Sequence, residues 1–326
     1  MKALKHVYGP IASWRLGFSL GLDPISPPKT CTFDCVYCQL GRTASKVSGP
    51  KEFQPKVSLR RLMADLEEVL THIDLKRVNY VTFSGSGEPT LHPQLAEMVE
   101  EARRLTGKPV ALLTNSSLLG YRKILEAASK CDLVVAKLDA ADQRLFEAVN
   151  RPAEGLRLRQ IVKRIRGLRR TMAGKLAIQS MFFRRLDLEA SNFSDRNVKA
   201  LAETVSTLMP DEFQVNTPTR PPAESSVTPL TVEELRGITK VFREKIPEAH
   251  VISRTNLKLA KSTGLRKTSE QEVLEVLKRR PCGDWELAAI LNAKEVEVSK
   301  ILGRLIAKGM VAKKRVEKRT YFTVKA

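Results

Sequence analysis

Three cysteines close together are the residues of this chain best suited to chemistry. Cys31, Cys35 and Cys38 follow the spacing C-x3-C-x2-C, and the remaining cysteines are Cys131 and Cys282. Thiolates are soft ligands that suit iron–sulfur clusters, zinc or copper. A closed zinc site and a [4Fe–4S] cluster both normally take four protein ligands, so three cysteines on one loop leave one metal position open. An open position is what a chemically active metal centre requires.

A glycine-rich turn is the second candidate site. The β-branched and aromatic run at 78–83 predicts a strand, and Gly85, Ser86, Gly87 and Glu88 come just after it. Glycines lack a side chain, so their backbone can approach a bound ligand closely. The spacing G-x-G-x-x-G is absent, so a dinucleotide site of that type is not predicted.

The cysteine loop resembles the cluster-binding loop of radical S-adenosylmethionine (radical SAM) enzymes, C-x3-C-x-aromatic-C, with Tyr37 at the aromatic position. The resemblance implies that Cys31, Cys35 and Cys38 hold a [4Fe–4S] cluster whose fourth iron binds SAM. It also implies that an external donor of flavodoxin or ferredoxin type supplies an electron, which cleaves SAM to methionine and a 5′-deoxyadenosyl radical. The alternatives are a zinc knuckle with a remote fourth ligand such as His72 or Cys282, or three incidental buried cysteines.

The glycine turn is similar to the GGE motif of the same family, with Ser86 replacing the first glycine. The resemblance implies that residues Gly85 to Glu88 hold the methionine amino group of SAM, opposite the cysteine loop. Cys131 and Cys282 are not expected to supply a fourth ligand to the metal.

Strands and helices alternate through most of the chain, which predicts an α/β fold with a parallel sheet. Six strands are predicted, at 18–25, 78–83, 110–114, 133–138, 176–183 and 213–217. The family resemblance implies that they form a partial (β/α)6 barrel, in which the site lies at the carboxyl ends of the strands.

Polar residues at these strand ends are therefore candidate cofactor ligands. Asn115 and Asp139 lie where family members contact the carboxylate and ribose of SAM, and Gln179 and Ser180 could face SAM or the substrate. Each could instead cap a loop or form a turn. Arg15 and Arg220 could contact an anionic group or could be ordinary surface charges.

Three regions are predicted: the barrel at 1–229, a helical extension and linker at 230–267, and a winged helix-turn-helix domain at 268–326. Glu295 and Glu297 lie near the start of the third helix of that domain, which argues against sequence-specific DNA reading. Basic residues of the wing, Lys313, Lys314 and Arg315, suit phosphate contacts better. Peptide docking and a purely structural role are the alternatives, because fold does not fix function.

The chain is strongly basic, with 56 Lys and Arg against 36 Asp and Glu, a net charge of +20. Such an excess suits a polyanionic partner such as nucleic acid, although it could also serve solubility. Part of it lies in the helix predicted at 156–172, since residues 151–170 hold eight basic residues and one acidic residue. This helix could lie along phosphates or could simply be solvated.

The remaining composition predicts a cytoplasmic protein. The sequence contains no run of about 18 apolar residues, so no membrane span is predicted. The amino terminus lacks the apolar run of a signal peptide. The two cysteines outside the loop form no disulfide framework, which indicates a reducing compartment.

The sequence therefore predicts a radical SAM enzyme whose leading substrate is RNA, with tRNA the first candidate. The segments around the cysteines, such as CVYCQLGR, also resemble a poorly characterised group of Fe–S oxidoreductases related to tRNA wyosine-base synthases. No second cysteine cluster is found, so the wyosine reaction is not transferred to this chain. The alternatives are a protein or peptide substrate docked by the winged helix, or a cluster-containing nucleic-acid-binding regulator.

Overall fold

Parallel strands joined by helices form the larger part of the molecule. The computed structural model describes residues 6–185, 191–253, 268–316 and 319–325. The strands are β1 Val7–Ser13, β2 Gly17–Leu22, β3 Thr30–Cys31, β4 Ser45–Lys46, β5 Tyr80–Phe83, β6 Val110–Thr114, β7 Leu133–Lys137, β8 Lys175–Met181, β9 Arg184–Arg185, β10 Glu212–Asn216, β11 Val227–Thr228, β12 His250–Ser253, β13 Val311–Val316 and β14 Arg319–Val324. The α-helices are α1 Leu59–Leu70, α2 Leu95–Thr106, α3 Arg122–Ser129, α4 Gln143–Asn150, α5 Leu158–Thr171, α6 Asp195–Ser206, α7 Val232–Lys245, α8 Glu270–Arg279, α9 Asp284–Leu291 and α10 Glu295–Ala307. No helix in these ranges is long and apolar enough to cross a membrane.

The main sheet has the strand order β1-β2-β5-β6-β7-β8-β10-β12. All neighbouring pairs are parallel except β1 and β2, which are antiparallel. The six predicted strands are all present, as β2, β5, β6, β7, β8 and β10, in an uninterrupted row. The predicted α/β class and half-barrel architecture are confirmed.

Two edge strands extend the sheet beyond the six that were predicted. β1 contains Gly9 and Pro10 and has an irregular register between Tyr8 and Ile11. Proline within a strand is tolerated at an edge or a bulge, and it masks the alternation that predicts a strand. At the other edge, β12 has only four residues. The sheet therefore ends in two edges that do not pair with each other.

Each helix covers the sheet with one apolar face. α1 begins after Ser58, whose side-chain oxygen accepts a hydrogen bond from the Arg61 backbone N–H, and it buries Leu62, Leu66 and Val69. The same core includes α7, because the ring of Phe242 stacks on Phe213 of β10 with centroids 3.8 Å apart. The segment predicted as a helical extension thus supplies both a barrel helix and the last strand, β12.

The C-terminal region folds around a hydrophobic core of its own. Helices α8, α9 and α10 are followed by β13 and β14, which pair antiparallel. Val273, Leu287, Ile301 and Phe322 are among the buried residues of this core. The order of three helices and a hairpin is the one expected for 268–326, and the classification of this domain as a winged helix stays a prediction.

The C-terminal domain contacts the barrel on both sides of the gap between the edge strands of the main sheet, β1 and β12. Helix α9 packs against β1. The Arg279 Nε atom lies 3.2 Å from Asp23 Oδ2, just beyond β2, and Arg220, just beyond β10, pairs with Glu286 at 2.5 Å. Arg220 also donates to the carbonyl oxygen of Pro281 at 3.0 Å. These contacts make the domain part of the wall around the barrel interior.

Candidate active site

The three cysteines lie on the loop after β2 and face a cavity of about 380 Å³ inside the barrel. Cys31, Cys35 and Cys38 are all free and half-buried. The loop is held by its backbone, since Val36 N–H donates to the carbonyl of Val149 at 3.0 Å and Cys38 N–H donates to that of Cys35 at 3.1 Å. Their side chains are thus presented together at the cavity wall.

Amide groups point at two of the three sulfurs. Asn115 Nδ2 lies 3.5 Å from Cys31 Sγ, and Asn150 Nδ2 lies 3.4 Å from Cys35 Sγ. Burial raises the pKa of Cys35 to about 11, and the Asn150 amide opposes that rise. Burial also raises the pKa of Cys31. Hydrogen-bond donors beside a sulfur favour its thiolate form, which is the form that binds metal.

Neither residue suggested as a remote fourth zinc ligand is among the described residues that line the cavity. Among the described residues, no group of three His, Cys, Asp or Glu side chains converges on a position for one metal ion. Zinc needs its ligands at one point, whereas a [4Fe–4S] cluster can take each thiolate on a different iron. Of the alternative ligands, Cys282 lies fully buried in the C-terminal core, and His72 is exposed on the surface.

The glycine turn packs backbone to backbone against the cysteine loop. Thr30 N–H donates to the carbonyl of Ser86 at 3.1 Å, and Glu88 N–H donates to the carbonyl of Thr30 at 3.1 Å. Gly87 has φ +154°, and a Cβ atom there would lie 1.7 Å from the Thr30 oxygen. Gly85 has φ +142°, and a Cβ atom there would lie 2.3 Å from Asp23 Cγ. Glycine is therefore required at 87 by the close approach of the Thr30 backbone and at 85 by the close approach of the Asp23 side chain.

The Ser86 side chain points away from the cavity. Its hydroxyl donates to Asp23 Oδ2 at 2.7 Å, and its N–H donates to Asp23 Oδ1 at 3.1 Å. Because Asp23 also pairs with Arg279, this buried carboxylate links the glycine turn to the C-terminal domain. The serine that replaces the first glycine of the motif thus has a structural partner of its own.

Glu88 joins the ends of two neighbouring strands. Its carboxylate accepts hydrogen bonds from Thr90 Oγ1 at 2.7 Å, Thr114 Oγ1 at 2.7 Å and the Asn115 N–H at 2.7 Å. Burial raises the pKa of Glu88, and the Asn115 N–H opposes that rise. Glu88 therefore fixes the position of Asn115, whose amide contacts Cys31.

Asp139 is surrounded by protein donors. It accepts hydrogen bonds from Tyr37 Oη at 2.5 Å, Asn150 Nδ2 at 2.8 Å and the Met181 N–H at 2.8 Å, and Lys137 Nζ lies 3.0 Å away. Burial, followed by the Asp139 charge, raises the pKa of Tyr37 well above its usual range. Asp139 thus orients the two side chains next to Cys35, and its expected contact with SAM stays a prediction.

The predicted site residues divide into two groups. Those that line the cavity are Cys31, Cys35, Tyr37, Cys38, Gly85, Gly87, Glu88, Asn115 and Gln179. Those buried behind its wall are Ser86, Asp139 and Ser180. Gln179 and Ser180 differ because successive strand residues face opposite sides. Gln179 donates to Gln214 Oε1 at 2.6 Å, and the Ser180 hydroxyl donates to the Leu138 carbonyl behind the sheet.

Comparison with known proteins agrees with this geometry. The sequence model of the radical SAM superfamily matches residues 25–181, from the end of β2 to the end of β8. The UPF0026 protein slr1464 of Synechocystis sp. is 38% identical over 216 residues, which cover 66% of this chain and 76% of the relative. The chain belongs to the UPF0026 family and is a radical SAM enzyme. The radical SAM superfamily uses a [4Fe–4S] cluster and SAM.

Two further similarities extend beyond the barrel. The UPF0026 protein MJ1312 of Methanocaldococcus jannaschii is 29% identical over 320 residues, which cover 97% of this chain and 94% of the relative. The FeFe-hydrogenase maturase HydG of Carboxydothermus hydrogenoformans shares the fold, with a TM-score of 0.50 at 14% identity, over 93% of this chain and 68% of that one. The C-terminal domain of this radical SAM enzyme thus lies within the region of similarity to MJ1312.

Sequence reasoning missed several residues that shape the site of this radical SAM enzyme. Asp23 directly follows β2, but the predicted strand extended to residue 25, so the rule that selected Asn115 and Asp139 did not select it. Asn150 ends α4 and lies 115 residues from Cys35, its partner. No local signal predicts the Asn150 contact, because it depends on how α4 packs against the cysteine loop.

Replacing Gly87 with alanine tests the contact between the glycine turn and the cysteine loop. We expect Gly87→Ala to lower the free energy of unfolding by about 3 kcal/mol, because the Cβ atom meets backbone at a φ that suits only glycine. Gly237→Ala is the matched control, since Gly237 lies inside α7 with nothing within 4 Å. That control is expected to gain about 0.5–1 kcal/mol. Equal stabilities of the two variants in urea unfolding would contradict the proposed contact.

Asp139→Asn tests whether Asp139 stabilises the folded protein or only binds SAM. The substitution leaves Lys137 without its buried counter-ion, so we expect the free energy of unfolding to fall by about 3 kcal/mol. Tyr37→Phe removes the hydroxyl that donates to Asp139 and accepts from Asn150, and is expected to cost about 1 kcal/mol. An Asp139→Asn protein of unchanged stability that binds SAM weakly would instead support a direct contact with SAM.

Proposed function

We propose that Cys31, Cys35 and Cys38 hold the [4Fe–4S] cluster and that the enzyme cleaves SAM reductively. The observation that carries this proposal is the pairing of the cysteine loop with the glycine turn at the wall of one cavity. When bound, the cluster supplies the electron that cleaves SAM to methionine and a 5′-deoxyadenosyl radical. The electron comes from an external donor of flavodoxin or ferredoxin type in the reducing cytoplasm.

The chain's own residues bind and orient the reactants. The glycine turn presents backbone to the cavity, and the amides of Asn115 and Gln179 offer hydrogen bonds there. Apolar Leu113 and Val135 line the inner sheet surface and exclude water. Shielding is needed because a carbon radical reacts with any C–H bond nearby, and the protein's contribution in cofactor chemistry is position and exclusion.

Single cysteine substitutions test the cluster site. Cys31→Ala, Cys35→Ala and Cys38→Ala should each abolish iron binding and SAM-dependent release of 5′-deoxyadenosine in anaerobically reconstituted protein with dithionite. Cys131→Ala is the matched control, because Cys131 is buried and does not line the cavity among the described residues. It should retain both properties. A loop variant that kept full iron content and activity would overturn the proposed site.

We further propose RNA as the substrate, on the distribution of exposed positive charge. Lys313 and Lys314 of the C-terminal hairpin are exposed, and so are Arg159, Lys163 and Arg170 on α5. Exposed cations of this kind can follow a phosphate backbone. Other basic residues of α5 have structural partners; Arg169, for example, pairs with Asp211 at 3.1 Å.

Contacts on α10 favour phosphate binding over base reading. Arg304 on α10 and Lys308 just after it both pair with Glu270, at 2.9 Å and 2.6 Å. Glu297 accepts a hydrogen bond from the Thr268 N–H. A helix whose cations and carboxylates are engaged within the domain has few groups left to read bases.

The salt dependence of RNA binding tests this substrate class. The double variant Lys313→Gln, Lys314→Gln should bind a tRNA transcript more weakly and lower the slope of log Kd against log salt by about one for each phosphate that the variant no longer neutralises. Lys76→Gln is the control, since Lys76 is exposed near the amino end of β5. Release of 5′-deoxyadenosine without RNA binding at low salt would favour a peptide substrate. Nucleic-acid binding without SAM cleavage would favour a regulator.

A further inference from the structure

Four arginines line the same cavity as the three cysteines. Arg15 lies in the turn between β1 and β2, Arg220 follows β10, and Arg279 and Arg280 end α8 of the C-terminal domain. They therefore come from three separate parts of the chain and meet at the place where the C-terminal domain closes the barrel.

Arg279 has carboxylate partners, and it fixes the C-terminal domain to the barrel. It lies 3.2 Å from Asp23 and 3.3 Å from Glu275, and its guanidinium stands over the Tyr8 ring at 5.8 Å. Its residue is only 3% exposed, yet its Nη2 atom has no hydrogen-bond partner among the described residues. One donor at the cavity wall is thus left unused.

The other three arginines have too few carboxylates. Arg220 and Arg280 share a single carboxylate, Glu286, at 2.5 Å and 2.9 Å. No carboxylate of a described residue lies within ion-pair distance of Arg15, and its buried Nε atom has no hydrogen-bond partner there. The Nε atom of Arg280 is likewise buried without a partner in the described part of the chain.

Partly buried positive charges in this number, with few carboxylates beside them, favour a bound anion. Burial lowers the pKa of Arg15 to about 10, Glu212 opposes this from a distance, and Arg220 and Arg280 lower it further. The guanidinium still carries its charge at neutral pH. Mutual repulsion between partly buried cations is costly, and buried donors without partners add to that cost. A bound anion would relieve both.

We propose that Arg15, Arg220 and Arg280 bind a phosphate group of the substrate. A phosphate offers more oxygens and more negative charge than a carboxylate, so it can accept from several guanidinium forks at once. This inference rests on the proposed function in assigning the reaction to this cavity. The phosphate belongs either to a nucleotide within RNA or to a free phosphorylated molecule, and both offer the same chemistry to the arginines.

Thermal unfolding of the full-length protein in phosphate tests the site. At matched ionic strength, inorganic phosphate should raise the melting temperature more than acetate does. Arg15→Gln and Arg280→Gln should each weaken phosphate binding roughly tenfold or more, because each removes at least one charge-assisted hydrogen bond to the phosphate. Arg60→Gln is the matched control, because Arg60 is an exposed arginine of α1. Arg280→Lys, which keeps the charge, should bind phosphate better than Arg280→Gln and controls for misfolding.

Two further titrations identify the source of the phosphate and exclude SAM as the ligand. A ribonucleoside 5′-monophosphate and a short RNA hairpin, compared in the same variants, distinguish a free nucleotide from a polymer. Competition between phosphate and S-adenosylhomocysteine would mean that the arginines hold the carboxylate of SAM, and it would overturn the proposal. So would phosphate binding that is unchanged in Arg15→Gln and Arg280→Gln. The titrations need no cluster, so their failure is distinguishable from a failure of SAM cleavage.

Discussion

The close backbone contact between Gly87 and Thr30 is the constraint on which the site depends. Hydrogen bonds on both sides of this contact join the glycine turn to the strand that leads into Cys31. No side chain fits there, so the separation between the two ligand-binding segments is set by backbone atoms. Backbone contacts cannot change rotamer, and they therefore hold two segments more rigidly than a side-chain contact would. The cysteine loop and the glycine turn consequently behave as one unit.

Three buried carboxylates extend that unit into the rest of the barrel. Asp23, Glu88 and Asp139 each lie beyond the carboxyl end of a strand of the main sheet. Each accepts several hydrogen bonds from protein groups. A buried carboxylate is stable only when its lone pairs are used, so each one fixes the positions of its donors. Those donors include the Asn150 side-chain amide beside Cys35 and the backbone N–H of Asn115, whose side-chain amide lies beside Cys31. The carboxylates thus act on the surroundings of the cysteine sulfurs through the groups that they position.

The sequence predicted what depends on local pattern and missed what depends on packing. Cys31, Cys35 and Cys38, the glycine turn and six strands follow from spacing and periodicity within short windows. The edge strand β1 was missed because Pro10 interrupts its pattern. Tyr37 and Met181, two partners of Asp139, lie 102 and 42 residues away in the sequence, so no short window contains them. Ser86 looked like a weakened motif, and its hydrogen bonds to Asp23 become evident only in the folded chain.

The position of the C-terminal domain changes how its function is judged. An appended domain that only recruits a partner can hang on a linker, and its contacts with the catalytic domain are then dispensable. Here Arg279 reaches the same carboxylate that anchors the glycine turn, and Arg280 lines the cavity itself. Removal of the domain would leave Asp23 buried without its cation and would open the barrel between its edge strands. The domain is therefore part of the wall of the cavity that the three cysteines face, and it bears on the reaction proposed for that cavity as well as on any partner.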